Sequence, residues 1–452
     1  MCGNGKGETD AEVAWFEAVP FHPAGSRRSA RRVSPSETAH AAEPHWRALS
    51  PVARGLIAVR AVRSVGQGLL VVDFVLYLHA VGWSAAAIGA LLSASGLVGA
   101  ALILFVGVLS DRMGRRPFIV AYQILLIVGT ASILLDRSTW VVVVAACLLG
   151  FGRGANGAAG PFGPAEQAWL ARHTYGPWRG WTFSANNAAS FVGMGVGALA
   201  AGAVAALTPH MAVVARYDVV FALTLATGAV NLVQVLALPE RGEGAEDAPP
   251  SSGGDHVPPP PSLPRKEQNR ALTLVLLINA VNSLGIGIVG PLIPYWFAVR
   301  FHAGPDTIGP VYGITFLLTA AASLGTGVWA ARRGLIASII WPRLIGVAAM
   351  VALAIAPTYA LASGIYILRS MANRGSAGAR QAFSIGLVDN DRRGLAASLT
   401  GLSMRLPSAL GTALGGLMFA AGSFTAPFIL AAGMQLLFVV LYGTVLGRYQ
   451  NA

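Results

Sequence analysis

Four ionisable side chains inside the long apolar runs of this 452-residue chain are the best site candidates, because charge there is costly and therefore commonly functional. They are Asp73, in GLLVVDFVLYL, and the arginines Arg153, Arg369 and Arg405. A carboxyl group surrounded by hydrocarbon favours its neutral form, so Asp73 is suited to bind and release a proton. A guanidinium stays charged and instead binds anions or carbonyl oxygens. The sequence therefore predicts a polar cavity that binds a proton or an anion.

Two neutral side chains extend this candidate cavity. Asn187 and Asn282 also lie in apolar runs, where each can hydrogen-bond either a ligand or a neighbouring helix. The same alternative applies to Arg405, which can tie helices together by binding backbone carbonyls. The cavity and the helix-tying interpretations both stay open at this point.

The first apolar run carries Arg60 and Arg63 besides its single acid. Asp73 could form a structural ion pair rather than a proton site, and Arg153 lies at a comparable predicted depth. Arg60 and Arg63 lie near the start of the run, so we expect both to extend their charged ends to the aqueous interface.

The composition excludes several classes of protein. Charged residues make up 12% of the chain and hydrophobic residues 54%, whereas soluble domains are about one quarter charged. The formal charge of +12 is not arranged in basic clusters interleaved with aromatics, so we expect no nucleic-acid partner. Cys2 and Cys147 are isolated, and the chain has no HExxH or paired CxxC motif, so no metal or other cofactor is expected. No catalytic constellation is visible, which argues against an enzyme.

Twelve apolar segments are long enough to cross a bilayer, which takes about 20 residues. They are 54–80, 85–109, 117–136, 139–164, 181–207, 215–238, 271–299, 307–330, 338–357, 359–382, 395–421 and 425–447. The intervening basic residues fall mainly in loops on the side of the N-terminus, which predicts a multi-pass protein of the cell (inner or plasma) membrane with both termini cytoplasmic.

The polar stretches divide these segments into two sets of six. Residues 1–50 read as a disordered basic cytoplasmic tail, and the Pro- and Gly-rich residues 239–269 read as a cytoplasmic linker. We therefore expect one six-helix bundle over residues 51–238 and a second over residues 270–452.

The two halves repeat each other in sequence. GVLSDRMG at 107–114 matches GVWAARRG at 327–334, and a second set of matches follows at a constant offset, including Arg179 with Arg393 and Gly197 with Gly411. Two homologous bundles are typical of a transporter that works by alternating access.

Three motifs carry a resemblance to the major facilitator superfamily. GVLSDRMGRR (107–116) resembles that family's signature loop, G-x-L-x-D-R-x-G-R-R/K, and LLGFGRGANG (148–157) resembles its second motif. GMGVGALAAG (193–202) partly resembles the antiporter motif, with Ala198 in place of proline and Ala201 in place of a glycine. The resemblance covers roughly residues 51–450 and implies an all-α membrane protein of twelve helices in two six-helix bundles.

The signature loop is expected to act as a conformational latch rather than to bind substrate. The candidate latch residues are Gly107, Asp111, Arg112, Gly114, Arg115 and Arg116. The Asp111 carboxylate can accept charge-assisted hydrogen bonds from the opposite bundle, and Ala331 at the repeated position makes the latch one-sided. For Arg115 and Arg116 the alternative is a plain positively charged inner loop.

The sequence thus predicts a secondary active transporter for a small organic solute. Proton-coupled efflux is favoured by Asp73 and the partial antiporter motif, and a symporter or exchanger for an organic anion is the alternative favoured by the arginines. The expected partners are the substrate, protons and the lipid bilayer, with the transporter acting as a monomer.

Overall fold

The computed structural model describes residues 46, 49–152, 163–174, 178–239, 264–333, 335–375, 380 and 393–446. These residues form helices joined by short turns, and no strand occurs among them. Seven helical segments in this part of the chain are long and apolar enough to cross a membrane, and two shorter helices are also apolar. The chain is therefore an all-α integral membrane protein.

Seven described helices belong to the first half. They are α1 (Pro51–Ala80), α2 (Ala85–Met113), α3 (Arg116–Leu135), α4 (Thr139–Leu149), α5 (Gly163–Arg172), α6 (Trp178–Leu207) and α7 (Val213–Ala237). α1 begins at Pro51 because the Ser50 side chain accepts a hydrogen bond from the Ala53 amide, and proline fits the first helical position. α4 ends before Gly150, which has a φ of 75°, so the predicted segment 139–164 is interrupted there.

The second half also contains seven described helices. They are α8 (Arg265–Val289), α9 (Ile293–Phe301), α10 (Pro305–Arg333), α11 (Leu335–Ala354), α12 (Tyr359–Gly375), α13 (Arg393–Ala420) and α14 (Ala426–Leu441). A 3₁₀ turn at Gly290–Leu292 separates α8 from α9, and Pro291 and Pro294 account for that break. α8 starts inside the predicted linker because Pro264 precedes it and Glu267 favours its first turn. The described helices overlap all twelve predicted segments, but the number of spans and the domain boundaries stay predictions.

The two halves pack their helices in the same way. α6 packs on α1 in the first half, and α13 packs on α8 in the second. The repeated glycines occupy equivalent places in these contacts. A Cβ added to Gly197 would lie 2.8 Å from the Leu69 nitrogen, and one added to Gly411 would lie 3.0 Å from the Ile288 nitrogen. The sequence repeat is thus a structural repeat.

The halves meet along two helix pairs, α2 with α13 and α6 with α10. We call the face at the start of α1 the proximal face and the face at its end the distal face. Near the distal face, a Cβ on Gly89 would lie 2.7 Å from the Gly416 Cα, and one on Gly309 would lie 2.7 Å from the Gly202 Cα. Backbones that approach this closely leave no room for a side chain, so glycine contacts close the distal half of the interface.

Candidate functional site

A cavity of about 450 Å³ lies between the two halves. Its lining comes from α1, α2 and α6 on one side and from α8, α12 and α13 on the other, with contributions from neighbouring helices. Six arginines line it, namely Arg63, Arg343, Arg369, Arg374, Arg380 and Arg405. Among the described lining residues there is no aspartate or glutamate. The remaining surface is largely apolar, with Phe151 and Phe191 among its aromatic side chains.

Three residues predicted for the cavity do line it together. Arg369 comes from α12, Arg405 from α13 and Asn187 from α6. The first two belong to the second half and the third to the first half, so the cavity spans the interface between the bundles.

Arg343 is a cavity residue that the sequence analysis missed. It is 1% exposed, and its Nη1 donates a hydrogen bond to Asn373 Oδ1 at 3.2 Å. Its guanidinium carbon lies 5.7 Å from the centroid of the Phe438 ring. Gly346 leaves room for the Asn373 amide, since a Cβ there would lie 2.9 Å from Asn373 Cγ. Neutral groups thus hold this charge in position.

The sequence does show that Arg343 is flanked by two apolar runs, LIASIIW and LIGVAAM. Its place near the start of the predicted segment 338–357 made it resemble an interfacial residue, although the structure buries it.

Two arginines of α12 complete what we call the second-half cluster, defined as Arg343, Arg369, Arg374 and Asn373. The Arg374 guanidinium carbon lies 4.8 Å from the centroid of the Phe316 ring, within the range of a cation–π interaction. Arg369 is buried, and its Nε has no hydrogen-bond partner among the described residues. Within the part of the chain that the structure describes, no acidic side chain pairs with these three arginines.

Arg60 and Arg63 do not extend to the interface, and that expectation was wrong. Both are buried and pair with Glu166 of α5. The Arg63 Nη2 donates a hydrogen bond to Glu166 Oε2, and the Arg60 Nε lies 3.9 Å from Glu166 Oε1. We call these three residues the first-half cluster. Glu166 escaped the sequence analysis because it lies just beyond the predicted segment 139–164.

Asp73 lies outside the lining of the cavity. It is 2% exposed within α1, and its Oδ1 has no hydrogen-bond partner among the described residues. It interacts electrostatically with Tyr217 of α7, a first-half helix that packs on α1. Asn282 of α8 is likewise buried without lining the cavity. Arg153 lies outside the described residues, so its predicted place near Asp73 is untested.

The signature loop makes local contacts in the first half. α2 ends at Gly114, whose φ of 90° and ψ of 161° suit glycine. Arg115 Nη1 donates a hydrogen bond to the Ala168 carbonyl oxygen of α5 at 2.6 Å, and Arg116 donates one to the Leu236 carbonyl oxygen in the last turn of α7. A cation is favourable at such a helix end. These contacts connect helices of one half.

The latch across the halves is not visible in these contacts. Gly107, Asp111 and Arg112 belong to α2, but their surroundings lie outside what the structure describes. The latch therefore stays a prediction.

A helical membrane protein whose two repeated halves enclose a central, arginine-lined cavity has the architecture of a secondary transporter. The chain belongs to the Major Facilitator Superfamily, whose family model matches residues 56–277 and 275–449. This membership confirms the family and the two-bundle fold that the signature loop and the repeat predicted. It also makes the protein a transporter rather than an enzyme.

Three similar solved structures share the fold at low sequence identity. A nucleoside transporter, NupG, has a TM-score of 0.63 and 12% identity over 87% of this chain and 98% of that one. A bacterial homolog of the human lysosomal transporter Spinster, inward-facing and occupied, has a TM-score of 0.66 and 12% identity over 88% and 96%. The human organic anion transporter MFSD10 has a TM-score of 0.57 and 17% identity over 87% and 100%.

A curated relative matches a shorter stretch. The multidrug resistance protein MdtH of Cronobacter sakazakii is 29% identical over 110 residues, which are 21% of this chain and 27% of the relative. The match thus spans about a quarter of that relative's length.

Proposed function

We propose that this transporter carries a small organic anion through its central cavity by alternating access. The observation that carries the proposal is the lining of the cavity, which holds six arginines and, among the described residues, no acid. Positive charges gathered in a site of low dielectric repel one another, and a bound anion relieves that repulsion. The apolar surface beside the arginines suits the organic part of the solute.

The second candidate is proton-coupled efflux, in which Asp73 exchanges a proton for substrate. The partial antiporter motif and the name of the relative MdtH, a multidrug resistance protein, support it. However, Asp73 does not line the cavity, so its proton would have to act on the substrate through movements of α1. The arginines line the cavity and can contact a solute there, whereas Asp73 does not line it, so we favour the anion proposal.

The topology forms part of the proposal. We place the proximal face and both termini in the cytoplasm of the cell membrane, and we divide the chain into bundles at 51–238 and 270–452 joined by the linker 239–269. In that orientation the distal glycine contacts close the cavity toward the outside. Asp111 would then stabilise the opposite, outward-facing state, and a single copy would suffice for transport.

Three solutes that share one benzene ring test the proposal: benzenesulfonate, benzenesulfonamide and phenyltrimethylammonium. The purified protein is screened with each by thermal shift, and counterflow is then measured in proteoliposomes. We expect benzenesulfonate to stabilise the protein and to exchange, and the neutral and cationic solutes to do neither. Equal effects of all three would overturn the proposal.

The same three solutes distinguish proton-coupled efflux from anion transport. If phenyltrimethylammonium is carried by the wild type under a pH gradient and not by Asp73→Asn, proton-coupled efflux of cations is the function. If Asp73→Asn leaves benzenesulfonate exchange intact, the anion proposal is supported.

A further inference from the structure

The two halves line the cavity with chemically different surfaces. Among the described lining residues, every arginine except Arg63 belongs to the second half. The first half contributes mainly apolar side chains, which include Leu70, Phe151 and Phe191. We call this first-half surface the apolar wall. A solute that fills the cavity therefore contacts positive charge from one bundle and hydrocarbon from the other.

The second-half cluster contains hydrogen-bond donors that have no acceptor. The buried atoms Arg343 Nε, Arg369 Nε and Arg374 Nη1 each have no hydrogen-bond partner among the described residues. Arg369 interacts electrostatically with both Arg343 and Arg374, and all three side chains line the cavity. A buried donor without an acceptor is costly. These three arginines therefore need acceptor oxygens that the described part of the chain does not supply.

The apolar wall lies next to this cluster. The Phe191 ring stacks on the Phe316 ring of α10, with the ring centroids 6.4 Å apart. The Arg374 guanidinium carbon lies 4.8 Å from the centroid of the same Phe316 ring. Phe191 and Arg374 thus share one neighbour, and both line the cavity. A small solute whose apolar group is attached directly to its charged head can contact both.

We propose that the substrate is an amphipathic phosphate monoester, whose doubly charged phosphate binds the second-half cluster while its apolar group contacts the apolar wall. The inference rests on the proposed anion transport. A phosphate monoester has three terminal oxygens that accept hydrogen bonds strongly, and a guanidinium binds phosphate oxygens through its N–H groups. The three oxygens match the three arginines, each of which has an unpaired donor. Two negative charges also offset the repulsion among the arginines better than one does.

The test compares phenyl phosphate with phenyl sulfate and methyl phenyl phosphate, which keep the ring and the tetrahedral head but carry one negative charge. A phosphate monoester loses its second proton near about pH 6, so phenyl phosphate is doubly charged at about pH 8. Isothermal titration of the purified wild type gives the dissociation constants. We expect phenyl phosphate to bind at least about tenfold more tightly than either monoanion, because one further charge-assisted hydrogen bond changes affinity by about that factor or more. Equal affinities for the three solutes would overturn the inference.

Inorganic phosphate tests the apolar wall, because it is also mainly doubly charged at this pH but has no apolar group. We expect it to bind at least about tenfold more weakly than phenyl phosphate, since burial of an aromatic ring stabilises binding by about that factor or more. Equal affinities for inorganic phosphate and phenyl phosphate would show that the site binds free phosphate, and an amphipathic substrate would be wrong.

Two variants locate the phosphate within the cavity. Arg369→Gln removes a donor of the second-half cluster, so the preference for phenyl phosphate over phenyl sulfate should fall to less than about threefold. Arg405→Gln is the matched control, because Arg405 lines the cavity but lies outside the cluster, and this variant should keep the preference. Equal loss of the preference in the two variants would overturn binding at the cluster. Size-exclusion profiles establish that each variant is folded before it is compared.

The outcomes for the wild type separate this inference from the proposed function. If phenyl sulfate and benzenesulfonate bind but phenyl phosphate binds no more tightly, the phosphate monoester is wrong and anion transport stands. If none of the organic anions binds, both are wrong.

Discussion

The two halves of the molecule each bury a cluster of arginines, but they balance the charge differently. In the first-half cluster, Glu166 pairs with two arginines that lie one turn apart on α1. In the second-half cluster, an amide and aromatic rings hold the arginines, and no described acid pairs with them. Two bundles with repeated sequence thus place buried arginines among different partners.

The difference separates arginines that are paired within the fold from arginines that are available to bind a solute under the proposed function. Breaking a buried ion pair leaves an uncompensated charge, so its partner is needed for stability. A buried arginine without an acidic partner already carries that cost in the empty protein. Among the described residues no acid offsets that cost, and under the proposed function a bound anion would do so at the second-half cluster.

The largest effect is expected from removing the acid of the first-half cluster. Glu166→Leu leaves Arg60 and Arg63 buried without their carboxylate, so the free energy of unfolding should fall by about 3–5 kcal/mol. Denaturation of the detergent-solubilised protein measures this. Glu267→Leu is the matched control, because Glu267 is exposed at the start of α8. Equal losses in the two variants would show that the cluster does not support the fold.

The next effect separates binding from stability in the second half. Arg369→Gln should weaken benzenesulfonate binding about tenfold or more, equivalent to about 1.4 kcal/mol, without lowering the melting temperature. The reason is that the substitution removes a buried charge that has no described acidic partner. Isothermal titration and thermal denaturation give the two readouts.

Arg300→Gln provides the control for the loss of one positive charge, since Arg300 is exposed near the distal face. A drop in stability with unchanged binding in Arg369→Gln would mean that Arg369 ties helices together instead of binding the solute.

A third substitution makes the second-half cluster resemble the first. Asn373→Asp places a carboxylate where the Asn373 amide oxygen accepts the Arg343 hydrogen bond. An internal anion then competes with the solute, so benzenesulfonate affinity should fall about fivefold while thermal stability rises. Asn373→Ser, which adds no charge, should not raise the stability. Unchanged affinity in Asn373→Asp would place the solute away from Arg343.

The fold could be read from the sequence because its signals are local and repeated. The match of Gly197 with Gly411 depends on close backbone packing, which only a few residue types allow, and Gly114 of the signature loop has a φ of 90° that suits glycine. Each segment that we predicted from its apolar length is overlapped by a described helix. The helix ends were predicted less accurately. The residues Ser50 and Pro264 precede helices that start several residues before the predicted segments.

The sequence predicted only part of the site, because the depth of a side chain in the membrane and the direction in which it points depend on helix packing. Arg369 and Arg405 were found because they lie well inside their predicted segments. Arg343 and Glu166 were missed because they lie near segment ends, where charge is ordinary. Asp73 lies on α1, most of whose residues are buried, so no polar face in its sequence showed which side meets the cavity.

The smallest effect is expected from a short ion pair that is exposed to water. Arg137 Nη2 lies 2.6 Å from Asp218 Oδ2 near the distal face, with the two side chains 47% and 29% exposed. Water screens this pair, so Asp218→Asn should lower the free energy of unfolding by less than about 1 kcal/mol and leave benzenesulfonate binding unchanged. Chemical denaturation and titration measure both. If Asp218→Asn cost as much stability as Glu166→Leu, burial could not be what gives the first-half cluster its importance, and the contrast between the two halves would lose its physical basis.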